Sequence, residues 1–287
     1  FDRLNLNYGD LEDLSSLISI IQKVQPDEVY NLASQSHVRI SFDIPIYTAA
    51  VTGLGVLNIL EACKLVAPSV KIYQASSSEM FGNEIDFDGF QRETTHMNPV
   101  SPYGCAKVFA YNISRNYRNA YDMFISNGIL FNHESSRRGS NFVTSKIVKG
   151  ACDIKEGKAT ELRLGNLDAT RDWGHAKDYV EAMWLILQAE TADDFVCSTG
   201  VSHSVRDCCK YVFDKLGMTY EDYVVIDPKY LRPDELHDLK GDSSKIKKHF
   251  NWKPKYTFES MLDEMIEDEM KNRNQINYDY VPYDPVR

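Results

Sequence analysis

The chain has 287 residues, 43% of them hydrophobic and 26% charged, with a formal net charge of -10 at pH 7. That length supports a large domain or two merged lobes with a full core, and the acidic balance excludes a broad nucleic-acid surface while leaving room for a local arginine pocket. The longest uninterrupted apolar runs, such as MWLIL over 183–187, fall well short of the roughly 20 residues that cross a bilayer.

In chain order, RLNLNY (3–8) reads as a strand and LEDLSSLISIIQKV (11–24) as an amphipathic helix, its Leu and Ile recurring at helical spacing. EVYNLA (28–33) is the next strand. A long helix follows Pro45, and VKIYQAS (70–76) is a third strand. The breakers Asn98-Pro99 and Ser101-Pro102 open a loop, after which a helix over 103–121 leads into the strand MFISNGILF (123–131). Strands alternating with helices predict an α/β fold: a Rossmann-like doubly wound parallel sheet with right-handed crossovers. Further on, a helix over 142–156, strand ELRLG (161–165), helix 176–189 and strand FVCSTG (195–200) predict a smaller α/β substrate-binding lobe sharing the chain with the first. Helices near 242–249 and 257–273 and an extended tail at YDYVPYDPVR complete the reading. The Rossmann domain is placed at 1–131 with 172–200, and the smaller lobe at 132–171 and 201–287.

The six cysteines show no C-x-x-C spacing, which reads as reduced, buried thiols of an intracellular protein and no metal site. No signal peptide is visible.

Chemistry concentrates where the third strand ends, in YQASSSEMFG (73–82). Ligands of parallel sheets bind at the carboxyl ends of strands, so Ser77 and Glu79 stand at a candidate site. Downstream, SPYGCAKVFAYN places Tyr103 and Lys107 four apart on one helix face. A lysine there favours the phenolate, yet moving a phenol from about 10 to near 7 takes roughly 4 kcal/mol, so a cofactor's charge in a partly dry cleft is needed as well. The spacing alone carries little weight: with 17 tyrosines it recurs, and Tyr211 with Lys215 is a second copy on an ordinary amphipathic helix, read as solvated and structural.

Taken together, YQASSSEMFG, SPYGCAKVFAY, NGILFNHESSRRG and RDWGHAKDYV resemble the extended short-chain dehydrogenase/reductase superfamily, and within it the GDP-mannose 4,6-dehydratase family. The similarity runs from NYGDLEDL and PDEVYNLASQSHV to KYLRPDEL, LKGD and WKP. It implies a lyase that converts GDP-mannose to GDP-4-keto-6-deoxymannose with bound NADP, on the way to GDP-fucose or GDP-rhamnose. Tyr103 would take the 4-hydroxyl proton, Ser77 would donate to the sugar O4 where the family usually carries threonine, and Glu79 would work at C5 and C6. Lys107 would support Tyr103 and the cofactor.

The resemblance also assigns cofactor contacts to Asp10, Leu11, Leu32, Ala33, Ser34, Gln35, Ser36, Tyr47, Lys107, His133 and Arg138. Asn132, Arg171 and Arg232, with Ser77, would meet the nucleotide sugar. The two arginines would clamp the diphosphate, the alternative being salt bridges to Asp172 and Asp234. The SSRRG loop (135–139) implies a homotetramer or homodimer, and the family implies a cytoplasmic enzyme with no membrane or nucleic-acid partner. The glycine-rich pyrophosphate turn is not in the sequence, which begins at Phe1, and the expectation is a chain whose N-terminal unit lies upstream. Competing readings are a nucleotide-sugar 4-epimerase, for which Glu79 has no use, and a catalytically silent dinucleotide-binding scaffold. Glu79 could also simply cap its loop.

Overall fold

The computed structural model describes residues 3–275 apart from 232, 235 and 237. Helix α1 (Leu14–Val24) and strand β1 (Glu28–Asn31) are followed by short helices α2 (Val38–Ser41) and α3 (Pro45–Thr48). A π-helical stretch, Ala49–Leu54, runs into α4 (Gly55–Val66), and β2 (Lys71–Ser77), α5 (Pro102–Tyr121), β3 (Ile125–Leu130) and β4 (Asn132–Glu134) come next. The remainder comprises α6 (Val143–Lys155), β5 (Leu162–Leu164), β6 (Thr170–His175), α7 (Ala176–Leu187), β7 (Asp194–Cys197) and β8 (Ser202–Ser204). Helix α8 (Val205–Lys215), β9 (Val224–Ile226), α9 (Ser244–Phe250) and α10 (Phe258–Gln275) close the chain.

Two compact units emerge. The first comprises Phe1–His133, Ala169–Ser202 and Arg232–Lys255. Its sheet is parallel in the order β1-β2-β3-β7. Because side chains alternate along a strand, each strand feeds two cores. Ile72 and Ile125 pack under α1, α4 and α5 with Ile21, Val56, Ile59, Leu60, Ala110 and Tyr117. Tyr73, Ala75 and Leu130 point the other way, onto Tyr179, Ala182, Met183 and Ile186 of α7 and Ile246 of α9. Gly128 makes room on that second face: a Cβ there would sit 2.1 Å from the Tyr73 hydroxyl. Helix α1 starts where Asp13 accepts from the amides of Ser15 and Ser16, and α5 where Ser101 accepts from Gly104 N.

The second unit, Glu134–Asp168, His203–Leu231 and Tyr256–Arg287, packs α6, α8 and α10 together and pairs β5 with β9 in parallel. Ser204 and Asp207 form a reciprocal capping box at the start of α8. Arg273 on α10 reaches Asp153 at 2.8 Å and Glu156 at 3.0 Å beyond α6.

Several expectations need correction. Residues 3–8 form no strand, since no described strand lies beside them to complete a ladder, and Leu4, Leu6 and Tyr8 are exposed. Strand β1 ends at Asn31, the chain turning away over 32–36. Residues 232–255 group with the first unit rather than the second, because Leu236, Leu239, Ile246 and Trp252 are buried in its cores. Pro45–Val66 is a 22-residue helical stretch apolar enough, by length and composition, to cross a membrane, although Asn58, Glu61 and Lys64 interrupt it, so it is not an uninterrupted apolar run. Its Val56, Ile59, Leu60 and Cys63 are core residues beneath α1 and α5, the packing of a buried helix. Arg232 and the tail 278–287 lie outside the described residues.

Candidate active site

The stretch YQASSSEMFG is divided by task. Tyr73 and Ala75 anchor one face of β2, while Met80 and Phe81 lock into a core with Ile129, Phe131 and Val196. Between these anchors β2 ends at Ser77, whose hydroxyl accepts from Glu79 N at 3.3 Å and starts a single 3-10 turn, Ser78–Met80. Gly82 then takes φ +61 and bridges to Asn98, where a Cβ would lie 1.9 Å from the Asn98 carbonyl oxygen. Only glycine satisfies both demands.

The head of α5 closes on this turn. A Cβ on Gly104 would sit 2.8 Å from the Glu79 carbonyl oxygen and 2.9 Å from Pro99, so the glycine after Tyr103 lets that helix start lie directly against the Glu79 backbone. Tyr103 and Glu79 are both nearly buried. The Tyr103 amide donates to the Ser41 hydroxyl at 3.3 Å, and Ser41 in turn donates to Val38 O at 2.6 Å. Ser41, unremarked in the sequence, thus satisfies one of the four amides a helix start leaves unpaired.

One turn along, Lys107 is only 3% exposed. Its Nζ donates to Ala75 O at 2.8 Å and lies 5.7 Å from the centre of the Tyr103 ring. Burial pulls its pKa down to about 8, because desolvation disfavours the ammonium. The structure therefore brings Ser77, Glu79, Tyr103 and Lys107 together at the carboxyl end of β2.

The 32–36 turn follows β1 in the same sheet. Ala33 N donates to Asn31 Oδ1 at 3.3 Å, the Ser34 hydroxyl pairs with the Thr52 hydroxyl at 3.0 Å, and Gln35 N donates to Thr52 Oγ1 at 3.1 Å. Leu32, Ala33 and Ser36 are exposed. Asp10 accepts from Glu12 N at 2.9 Å, and Leu11 O accepts from Asn58 at 2.7 Å. Tyr47 is exposed on α3. His133 Nδ1 lies 2.9 Å from Phe131 O, with the ring stacked on Tyr179. Asn132 opens β4, half-buried.

Two arginines are already engaged within the protein. Arg171 is buried, its Nη1 donating to Thr170 O at 2.7 Å and Leu236 O at 3.2 Å. Its neighbour Asp172 instead accepts from Thr199 N and Oγ1, Gly200 N and Gly241 N, and burial raises its pKa to about 6 against those hydrogen bonds. In the second unit Arg138 pairs with Glu134 at 3.0 Å and lies over the Phe142 ring. No group of His, Cys, Asp and Glu suited to a metal occurs among the described residues.

A parallel Rossmann sheet whose second strand ends in a serine, with a glutamate in the turn that follows and a Tyr-x-x-x-Lys helix start packed on that turn, marks the short-chain dehydrogenase/reductase class. Solved structures share the fold: RMD from Pseudomonas aeruginosa complexed with NADPH superposes with a TM-score of 0.83 at 23% identity, covering 92% of this chain and 88% of that one. UDP-glucose 4-epimerase from Thermotoga maritima gives 0.84 at 24% identity, covering 95% and 87%. Within that class, the family model described as GDP-mannose 4,6 dehydratase matches residues 1–265. Curated dehydratases of that name are 48% identical over 283 residues in Cricetulus griseus, covering 92% of this chain and 76% of the relative, and 46% identical over 295 residues in Vibrio cholerae, covering 93% and 79%. The chain belongs to the GDP-mannose 4,6-dehydratase family.

Proposed function

We infer that this chain converts GDP-mannose to GDP-4-keto-6-deoxymannose, a redox-neutral hydro-lyase reaction. The observation that carries the reading is the seating of the α5 head, through Gly104, against the Glu79 turn, which brings a base for an alcohol and a second acid/base group to one strand end. An epimerase needs only the first, and the named relatives at 46% and 48% identity are dehydratases.

The residues fit a nicotinamide dinucleotide. A buried lysine stands beside a phenol, and on the 32–36 turn the buried Gln35 Oε1 accepts no hydrogen bond from a described group, an acceptor suited to a ribose hydroxyl. Lys107, Tyr103, the 32–36 turn, Asp10, Leu11, Tyr47 and His133 would hold it. When bound, the dinucleotide supplies the hydride acceptor at C4 and the hydride donor at C6. Tyr103, as phenolate, accepts the 4-hydroxyl proton while Ser77 donates to O4. The resulting ketone acidifies the C5 proton, which Glu79 removes. Glu79 then gives that proton to the departing C6 hydroxyl, which leaves as water. As C6 is reduced, C5 takes up one proton, balanced by the one Tyr103 accepted from O4, so that the phenolate and the Glu79 carboxylate are restored. Lys107, held dry, stabilises the Tyr103 phenolate. Asn132, Arg171 and Arg232 belong to the nucleotide-sugar contacts, and Arg138 to the cofactor contacts, on family resemblance alone.

The reading includes NADP as the dinucleotide, a homotetramer or homodimer as the assembly and the cytoplasm as the location. For the first of these, the RMD complex with NADPH is the support. Incubating the protein with GDP-mannose and NADP, with product analysis by mass spectrometry, tests the activity: a nucleotide sugar lighter by one water is expected. Unchanged mass with inversion at C4, from the manno to the talo configuration, would replace it with the epimerase reading.

A further inference from the structure

A row of polar side chains crosses the sheet beneath α5, one per strand. Asn31 of β1 lies opposite Gln74 of β2, Gln74 opposite Asn127 of β3, and Asn127 opposite Asp194 of β7. All four are buried, at 4%, 1%, 0% and 5% exposure, at positions where a parallel sheet covered on both faces normally carries Val, Ile or Leu. Buried amides persist only when hydrogen-bonded, and these are. Asn31 Nδ2 donates to Gln74 Oε1 at 2.8 Å, and Gln74 Nε2 donates to Ala75 O at 3.0 Å. Asn127 Nδ2 donates to Asp194 Oδ1 at 2.8 Å and accepts from the Ser76 hydroxyl at 3.2 Å.

The row meets α5 at two points. At the far end, Asp194 takes Arg118 in a two-pronged pair at 2.9 and 3.0 Å, with the Tyr111 hydroxyl at 3.1 Å. Burial pushes the Asp194 carboxyl up, but Arg118 and Asn127 outweigh it and hold the group below the usual range. At the near end is the carbonyl of Ala75, which receives both Gln74 Nε2 and the Lys107 ammonium. A carbonyl has two lone-pair directions. With Gln74 holding one, Lys107 is confined to the other. Gln74 is itself tied through Asn31 Oδ1 to Ala33 N, at the head of the 32–36 turn.

We propose that Gln74, braced by Asn31, is a positioning residue for Lys107, fixing the ammonium on one side of Ala75 O and in register with the 32–36 turn. This rests on the dehydratase reading for its catalytic consequence, while the placement of the lysine stands on geometry alone. Gln74 acts through Lys107 and touches no reacting atom.

The test uses Gln74→Met, which keeps the length of the side chain and removes its hydrogen bonds, and Asn31→Ala, which removes only the brace. Two readouts apply: the acid limb of the kcat pH profile with GDP-mannose, and the Lys107 titration midpoint followed by NMR of 13Cε-labelled lysine. In Gln74→Met, kcat is expected to fall on the order of ten- to a hundred-fold with KM unchanged. The acid limb moves to higher pH as the phenolate loses its partner, and the Lys107 midpoint falls because a thioether replaces a polar amide. Asn31→Ala shifts both in the same direction by less, and remains informative if Gln74→Met does not fold. Asp194→Asn, loosening the far end of α5, lowers the melting temperature and leaves limb and midpoint in place. The proposal is overturned if limb and midpoint stay put in both row variants, or if Asp194→Asn moves them equally. If wild-type protein releases no water from GDP-mannose, the dehydratase reading fails, and the NMR midpoint alone decides the placement of Lys107.

Discussion

Two Tyr-x-x-x-Lys pairs lie on two helices of this protein and end in opposite electrostatic states. Lys107 on α5 is buried, donates to a backbone carbonyl, and has its pKa lowered by desolvation to about 8. Lys215 on α8 is exposed and pairs with Asp263 at 2.9 Å, which raises its pKa. Tyr211 likewise spends its hydroxyl on Asp263, at 2.9 Å. The residue after each tyrosine marks the difference: Gly104 admits the Glu79 carbonyl oxygen, whereas Val212 is a buried core residue of an ordinary amphipathic helix. Spacing puts two side chains on one helix face. What the face meets decides whether they become a site.

That contrast is open to attack. The largest effect is expected from Tyr103→Phe, which removes the proton acceptor and lowers kcat by about 10²–10⁴, while Tyr211→Phe leaves kcat at the wild-type value; steady-state assays of both variants check this. Next, Lys107→Met is expected to cost on the order of 10²-fold in kcat, with Lys215→Met indistinguishable from wild type in the same assay.

The third contrast is in stability against pH. The folded pKa of Lys107 lies below its value of 10.5 in the unfolded chain. The folded state therefore carries a cost in full below about pH 8, and that cost fades as pH rises toward the unfolded value. The gain has an upper bound of about 3 kcal/mol. Urea denaturation at a series of pH values should show this rise in wild type and its absence in Lys107→Met. Lys215 has the opposite sign: its contribution is present below the unfolded lysine range and is lost as pH rises through its raised folded pKa, the smaller effect because solvent screens the pair. A fourth, comparable or smaller effect belongs to Gly104→Ala, whose methyl would meet a backbone oxygen. A destabilisation of about 1–3 kcal/mol is expected, together with lost activity, and parallel denaturation and turnover measurements would separate the two.

Much of this arrangement was legible in the sequence. The period of Leu and Ile located α1, and Ser101-Pro102 marked the start of α5. The join from β2 to Glu79 could be read because a strand with small and hydroxyl residues at its end ran into a glutamate and a glycine. Other features were hidden for physical reasons. RLNLNY has strand composition, but a strand exists only beside a neighbour, and no described strand flanks it. Arg171 reads from the sequence as a diphosphate clamp or a salt bridge to Asp172, yet which carbonyls it meets depends on where Leu236 folds back in the first unit. The row Asn31–Gln74–Asn127–Asp194 depends on inter-strand register, which no single segment encodes. The one local hint was a glutamine among the apolar residues of a strand interior. Ser41 left no mark at all, since its acceptor role for Tyr103 N bridges distant segments.

The most direct test of two groups with separate tasks at one strand end is Glu79→Gln incubated with GDP-mannose and NADP, its products weighed by mass spectrometry. The expected result is that no nucleotide sugar lighter by one water forms, while hydride transfer from C4 to NADP, read at the nicotinamide absorbance, persists. Loss of water at the wild-type rate would contradict the assignment of Glu79 and, with it, the dehydratase chemistry placed at this turn.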